Sequence, residues 1–152
     1  MENSNKIREL VSKDYAHAVS EKPGAGLCGA PQHETISCCS PQPVVNSCCT
    51  PQQKSATAGL AGYEHNILQS IPTDAVVNSF GCGNPLGYAG VKEGDVVVDL
   101  GSGAGVDILL AGQIVGKTGR VIGIDMTDAM LLKANENISQ SGLTNVEVRK
   151  GI

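Results

Sequence analysis

The stretch Val96-Val97-Val98-Asp99-Leu100-Gly101-Ser102-Gly103-Ala104-Gly105 joins a β-branched apolar run to a turn with glycine at alternate positions. Such a run, bounded by glycine, reads as a buried strand leaving through a tight connection into a helix. Val106, Leu109, Leu110, Ile114 and Val115 then recur at helical spacing, and Gly116-Lys117-Thr118-Gly119 ends the helix. The unit repeats. Val121 to Ile124 is a second strand ending at Asp125, Thr127 is placed to cap a helix carrying Met130, Leu131, Ala134 and Ile138, and Gly142 closes it. Val146-Glu147-Val148 begins a third strand. The order β-α-β-α-β predicts an α/β chain with half of a doubly wound, Rossmann-like sheet. Right-handed crossovers put its strands in the order 3-2-1 and leave the first strand at an edge. A strand reading Val-Val-Val is expected to be covered on both faces and paired on both sides, so the chain is read as incomplete, with the sheet continuing beyond it.

Ahead of this unit the texture differs. Ile7, Leu10, Val11, Tyr15 and Ala18 predict an amphipathic helix over residues 5 to 19 that needs something to pack on. From Pro23-Gly24 to about residue 58 the chain is Pro, Gly, Ser, Gln and Cys, too poor in large apolar side chains to offset the entropy of ordering it, and is expected to be a flexible leader. Cysteine-Pro-Gln segments recur there at a spacing of ten, at Cys28, at Cys38-Cys39 and at Cys48-Cys49. Two regions follow, residues 1–58 and residues 59–152. The first holds five acids and five bases; the second holds ten acids and six bases and so carries the whole net charge of -4. The second region opens with a helix start at Ile71-Pro72-Thr73-Asp74 and a glycine-rich loop, Phe80-Gly81-Cys82-Gly83-Asn84-Pro85.

Composition excludes several classes. With 11 basic against 15 acidic side chains there is no basic field for nucleic acid or an anionic membrane surface. The apolar runs are strand-sized, far short of the ~20 residues of a spanning helix, and the start Met1-Glu2-Asn3-Ser4-Asn5-Lys6 is no signal peptide. A cytoplasmic location with reduced thiols is therefore expected for the 6 cysteines. One Phe, three Tyr and no Trp against 19 Gly leave Val, Ile, Leu and Ala to build the core.

A glycine turn after the first strand lets backbone approach a ligand closely, and an acid ending the second strand can accept hydrogen bonds from ribose hydroxyls. Gly101, Gly103, Gly105 and then Asp125 supply both features. A dinucleotide fingerprint would want a third glycine where Val106 stands. Asp99 in the strand with glycines at alternate positions matches S-adenosylmethionine enzymes instead, whose cofactor has no pyrophosphate. Against this stands the reading that the glycines only make a tight connection and Asp125 only caps the next helix.

Val98-Asp99-Leu100-Gly101-Ser102-Gly103-Ala104-Gly105-Val106-Asp107 followed by Val121-Ile122-Gly123-Ile124-Asp125-Met126-Thr127 resembles the class I methyltransferases. With the loop at Cys82, the amphipathic start Ile7-Arg8-Glu9-Leu10 with Tyr15, and the thiol-rich leader, the chain resembles the arsenite S-adenosylmethionine methyltransferases over nearly its whole length. The resemblance implies that Gly101, Ser102, Gly103, Asp125 and Met126 contact S-adenosylmethionine, with Asp99 beside them. It implies that Cys82 is a catalytic thiolate that binds arsenic(III), and that further substrate cysteines lie past Ile152, so that this chain alone is not expected to turn over. It also implies arsenite or an arsenic–thiol conjugate as acceptor in arsenic detoxification, a thiol reductant of glutathione or thioredoxin type, and a monomer when complete.

The chemistry suits these residue types. Arsenic(III) is soft and thiophilic, and thiolates can hold it as a pyramid with its lone pair outward as the nucleophile. Catalysis is then mainly alignment of lone pair, methyl carbon and leaving sulfur. Cys38, Cys39, Cys48 and Cys49 are vicinal pairs, unlike C-x2-C zinc spacing; they are read either as arsenite-capturing thiols or as an unselected leader. Asp99 and Asp107 have a structural reading too, one bracing the turn and one sitting favourably in the first turn of a helix. His17, His33 and His65 are scattered and read as solvated side chains. Two other functions stay open: methylation of another small molecule, and non-catalytic sequestration of a metalloid by thiols.

Overall fold

A computed structural model of the chain describes residues 2–20, 58, 60–81 and 83–151. The expected leader, its cysteine pairs and Cys82 lie outside the described residues. Three parallel strands, β1 (Val96–Leu100), β2 (Arg120–Asp125) and β3 (Val146–Lys150), pair in the order β1-β2-β3. Val97 stands opposite Val121, and Val121 opposite Val146. This is the 3-2-1 order that right-handed crossovers dictate, with β1 at the edge of the described sheet.

The helices are numbered along the chain as α1 (Glu2–Ser20), α2 (His65–Leu68), α3 (Thr73–Val77), α4 (Leu86–Ala89), α5 (Val106–Val115) and α6 (Asp128–Ser141). Both crossover helices lie on one face of the sheet. Ile108, Ala111 and Val115 of α5 bury Val121 and Val146, and Ile138 of α6 packs on the same cluster. Gly112 lets α5 lie flat on that face, because a Cβ there would collide with the side chain of Val146. Full burial of apolar side chains such as Ile108, Leu109 and Val121 stabilises the unit by about 1.5–3 kcal/mol apiece.

The other side of α5 is covered as well. Ala58, Tyr63, Leu68, Ile71, Ala75 and Val76 pack against Val106, Leu109 and Leu110. A helix held between sheet and upstream chain is apolar on nearly all sides, and buries residues outside the single stripe expected from periodicity. Ile114, assigned to that stripe, is instead substantially exposed.

Two further expectations are corrected. Among the described residues the sheet is covered on one face only: Val96, Val98 and Leu100 alternate onto the bare face and are 69%, 53% and 77% exposed. Alternation rather than a wholly buried run results, because both crossover helices fall on the same side. In α1 the docked residues are toward the carboxyl end, where Val19 packs with Ala104 and Met130, while Ile7 and Leu10 remain mostly in solvent. No described helix is long and apolar enough to cross a membrane.

Candidate functional site

At the carboxyl end of the sheet β1 runs into the turn 101–105, and its conformation requires glycine. Gly101, Gly103 and Gly105 have φ of 87°, 53° and 102°, a region that costs L-residues roughly 1–2 kcal/mol. The turn is tied to β2 by main-chain bonds: the amides of Gly101 and Ser102 both donate to the Ile124 carbonyl, at 2.7 and 3.0 Å. A third tie uses a side chain. Asp125 accepts the Gly103 amide on Oδ2 at 3.0 Å and the Thr127 amide on Oδ1 at 2.8 Å. Thr127 does precede α6 as expected, but its side chain makes no capping bond. The carboxylate two residues earlier bonds its amide instead.

Beneath the turn the fully buried Asn137 of α6 donates to the Ala104 carbonyl at 3.0 Å. Its amide also lies 3.5 Å from Asp74 Oδ2, and Asp74 pairs with Lys133 at 3.2 Å. In the sequence Asp74 marks only a helix start and Asn137 stands in no motif; the packing of α3 on α6 brings them under the turn.

Above the turn is a cavity of about 540 Å³. Its lining combines turn residues, Asp107, Asp125, Met126 and Met130 with Tyr15 of α1 and the 78–81 segment. Tyr15 and Phe80 meet edge to face, centroids 5.9 Å apart, so α1 helps close a cavity that the sequence assigned to the turn alone. Cβ atoms added at Gly101 and Gly103 would meet nothing within 4 Å, so the backbone there faces open space into which a ligand can settle. Ser102 also lines the cavity; it is 7% exposed and its hydroxyl has no hydrogen-bond partner among the described residues.

Among the described residues no Lys, Arg or His lines this cavity, whereas Asp107 and Asp125 do. Burial, then the charges of Asp107 and Asp125, push the nearby Asp99 carboxyl up to about 6. Burial also raises Asp107, partly offset by the hydrogen bond it accepts on Oδ1 from the Tyr63 hydroxyl at 2.6 Å. Burial and that same carboxylate push the Tyr63 hydroxyl well up. A pyrophosphate brought to the start of α5 would meet Asp107 in the helix's first turn, so the cavity favours a cationic or neutral ligand.

Of the expected site residues, Gly101, Ser102, Gly103, Asp125 and Met126 converge on the cavity, while Asp99 sits behind its lining. Cys82, Cys38, Cys39, Cys48 and Cys49 lie outside the described residues. Among the described residues no group of three or more potential metal ligands occurs.

A family model described as a methyltransferase domain matches residues 91–151. An arsenite methyltransferase of Halobacterium salinarum is 42% identical over 145 residues, 95% of this chain and 34% of that protein. An arsenite methyltransferase of Aquipseudomonas alcaligenes is 35% identical over 89 residues, 56% of this chain and 25% of its own length. A protein-L-isoaspartate O-methyltransferase of Methanococcus aeolicus is 40% identical over 58 residues, 38% of this chain and 27% of that one. The chain thus spans about a third of the first relative's length and about a quarter of each of the other two. The resemblance read from the sequence is borne out, and the sheet with its crossovers is part of a class I methyltransferase fold.

Proposed function

We propose that this chain, whose residues 91–151 match a methyltransferase domain, binds S-adenosylmethionine over the turn 101–105 and serves methyl transfer to thiol-bound arsenic(III). The observation that carries the cofactor reading is the cavity over that turn: open above Gly101 and Gly103, lined by carboxylates, and with no cationic side chain among its described lining residues. In this reading Gly101 and Gly103 admit the ligand, Ser102 offers its unused hydroxyl, and Asp125 accepts from the ribose while holding the turn. A carboxylate bonded to two amides keeps lone pairs for two hydroxyls, so bracing and ligand binding are compatible. Met126 and Met130 supply apolar surface beside it. The bound cofactor supplies a methyl group already activated on a sulfonium.

The arsenic reading is supported by the breadth of the match to the Halobacterium salinarum protein, which extends well beyond the cofactor unit. Cys82 is then the arsenic-binding catalytic thiolate, in the loop that begins at cavity-lining Phe80 and Gly81, and Cys38, Cys39, Cys48 and Cys49 are candidates for capture. A thiol reductant and a cytoplasmic setting belong to the same proposal, as does a role in arsenic detoxification. A second reading, methylation of another small molecule, rests on the cofactor unit alone, which is shared with a protein-L-isoaspartate O-methyltransferase and so does not specify the acceptor.

Titration calorimetry separates these. Heat with S-adenosylmethionine and none with a nicotinamide dinucleotide supports the cofactor reading; the reverse overturns it. Arsenite binding lost in Cys82→Ser supports the arsenic reading, whereas cofactor binding without arsenite binding supports the other acceptor. Arsenite binding that survives Cys82→Ser but not replacement of the paired cysteines points to sequestration by the leader.

A further inference from the structure

Beside the glycine turn and Asp125, the cavity lining carries a further hydrogen bond that they do not use. Tyr63, buried ahead of α2, donates to Asp107 Oδ1 at 2.6 Å across 44 residues of sequence. Asp107 stands in the first turn of α5 and lines the cavity. The Tyr63 ring is buried in the cluster that packs Ala58, Leu68, Ile71, Ala75 and Val76 against α5. One carboxylate oxygen is thereby oriented, and the carboxylate keeps acceptor capacity on the other.

Ser102 lines the same cavity; the residue is more than nine-tenths buried, and its hydroxyl has no hydrogen-bond partner among the described residues. A buried hydroxyl without a partner is costly unless a ligand completes it. An oriented carboxylate together with an unused hydroxyl donor, with no cationic side chain among the described lining residues, is a donor–acceptor set suited to an α-amino acid: the ammonium to the carboxylate, the α-carboxylate to the hydroxyl. Asp125 is assigned to the ribose hydroxyls in the nucleoside reading, each of its oxygens already accepting one amide, and Asp99 does not line the cavity.

We propose that Asp107 anchors the α-ammonium of the cofactor's amino-acid moiety and that Tyr63 is a positioning residue that orients Asp107 for it. The inference rests on the nucleoside reading of the cavity and deepens it by assigning the amino-acid end.

The test compares two thioethers in the full chain: S-adenosylhomocysteine, which carries the amino-acid moiety, and 5′-deoxy-5′-methylthioadenosine, which lacks it. Asp107→Asn is expected to weaken S-adenosylhomocysteine about tenfold and leave methylthioadenosine within about twofold. Tyr63→Phe keeps the buried ring and is expected to weaken S-adenosylhomocysteine about threefold, again sparing methylthioadenosine. Equal loss of both ligands would assign Asp107 a purely structural role and overturn the inference, as would loss of neither. Failure of the unaltered chain to bind either ligand would overturn the nucleoside reading, and this inference with it.

Discussion

Asp125 Oδ2 accepts the backbone amide of Gly103 at 3.0 Å, so the carboxylate that ends β2 holds the crest of the turn leaving β1. The acid commonly regarded as a ligand contact in such units is here also part of the frame. Asp125→Asn keeps one acceptor oxygen but replaces the other with a donor facing an amide. It is expected to lower stability by about 1–3 kcal/mol in urea denaturation and to weaken S-adenosylhomocysteine in calorimetry. Unchanged stability with lost binding would show that the brace is dispensable.

Two glycines near the turn are constrained for different reasons, and alanine separates them. A Cβ at Gly123 would stand 2.7 Å from Ser102 Oγ and 2.9 Å from its Cβ, with Val148 Cγ1 at 3.0 Å. Gly123→Ala must therefore displace Ser102, at a cost of about 1–3 kcal/mol, and should impair binding. Gly101→Ala meets nothing within 4 Å and suffers only from its φ of 87°, about 1–2 kcal/mol. Thermal melts with and without S-adenosylhomocysteine should show that its Cβ, projecting into the cavity, costs additional ligand stabilisation.

Stability should respond to pH through Asp99. Its folded pKa, raised to about 6 by burial and by the neighbouring acids, lies above the ordinary carboxylate value near 4. The folded state therefore holds a proton that the unfolded chain releases. The associated stabilisation is complete below about pH 4 and is lost as pH rises through about 6. Asp99→Asn removes that loss: its melting midpoint should exceed the unaltered chain's at pH 7.5, and the difference should shrink toward pH 4. A variant less stable at pH 7.5 would contradict this.

The buried side chains of α5 and the bare face of the sheet should tolerate substitution very differently. Leu109 is 0% exposed, and Leu109→Ala is expected to cost about 2–5 kcal/mol in chemical denaturation. Leu100 projects from the bare face, and Leu100→Ser should change stability by no more than about 0.5 kcal/mol. A large loss at Leu100 would mean that something covers that face in solution.

The repeating unit was legible because β-branched runs, glycine turns and helical periodicity all point the same way from residue 96 onward. Strand order followed from handedness, and boundaries shifted by a residue, as where β2 begins at Arg120. Burial along α1 was not legible. Periodicity says which residues share a face, but only the position of Ala104 and Met130 decides that Val19 docks and Leu10 does not. The expected site residues that line the cavity stand in local motifs, the glycine turn and the end of β2. Tyr63 on Asp107 and Asn137 on Ala104 join residues 44 and 33 positions apart, and no spacing in the sequence marks either pair.

Because α1 is gripped near Val19 and not near Ile7, it is a cantilever whose fixed end bears on the cavity wall through Tyr15. Amide exchange should then fall progressively from the free end toward the clamp, and occupancy of the cavity should slow exchange at the clamped end more than at the tip. The same lever makes the first turns of the chain a tolerant place to attach a fluorophore that reports on the cavity without touching it.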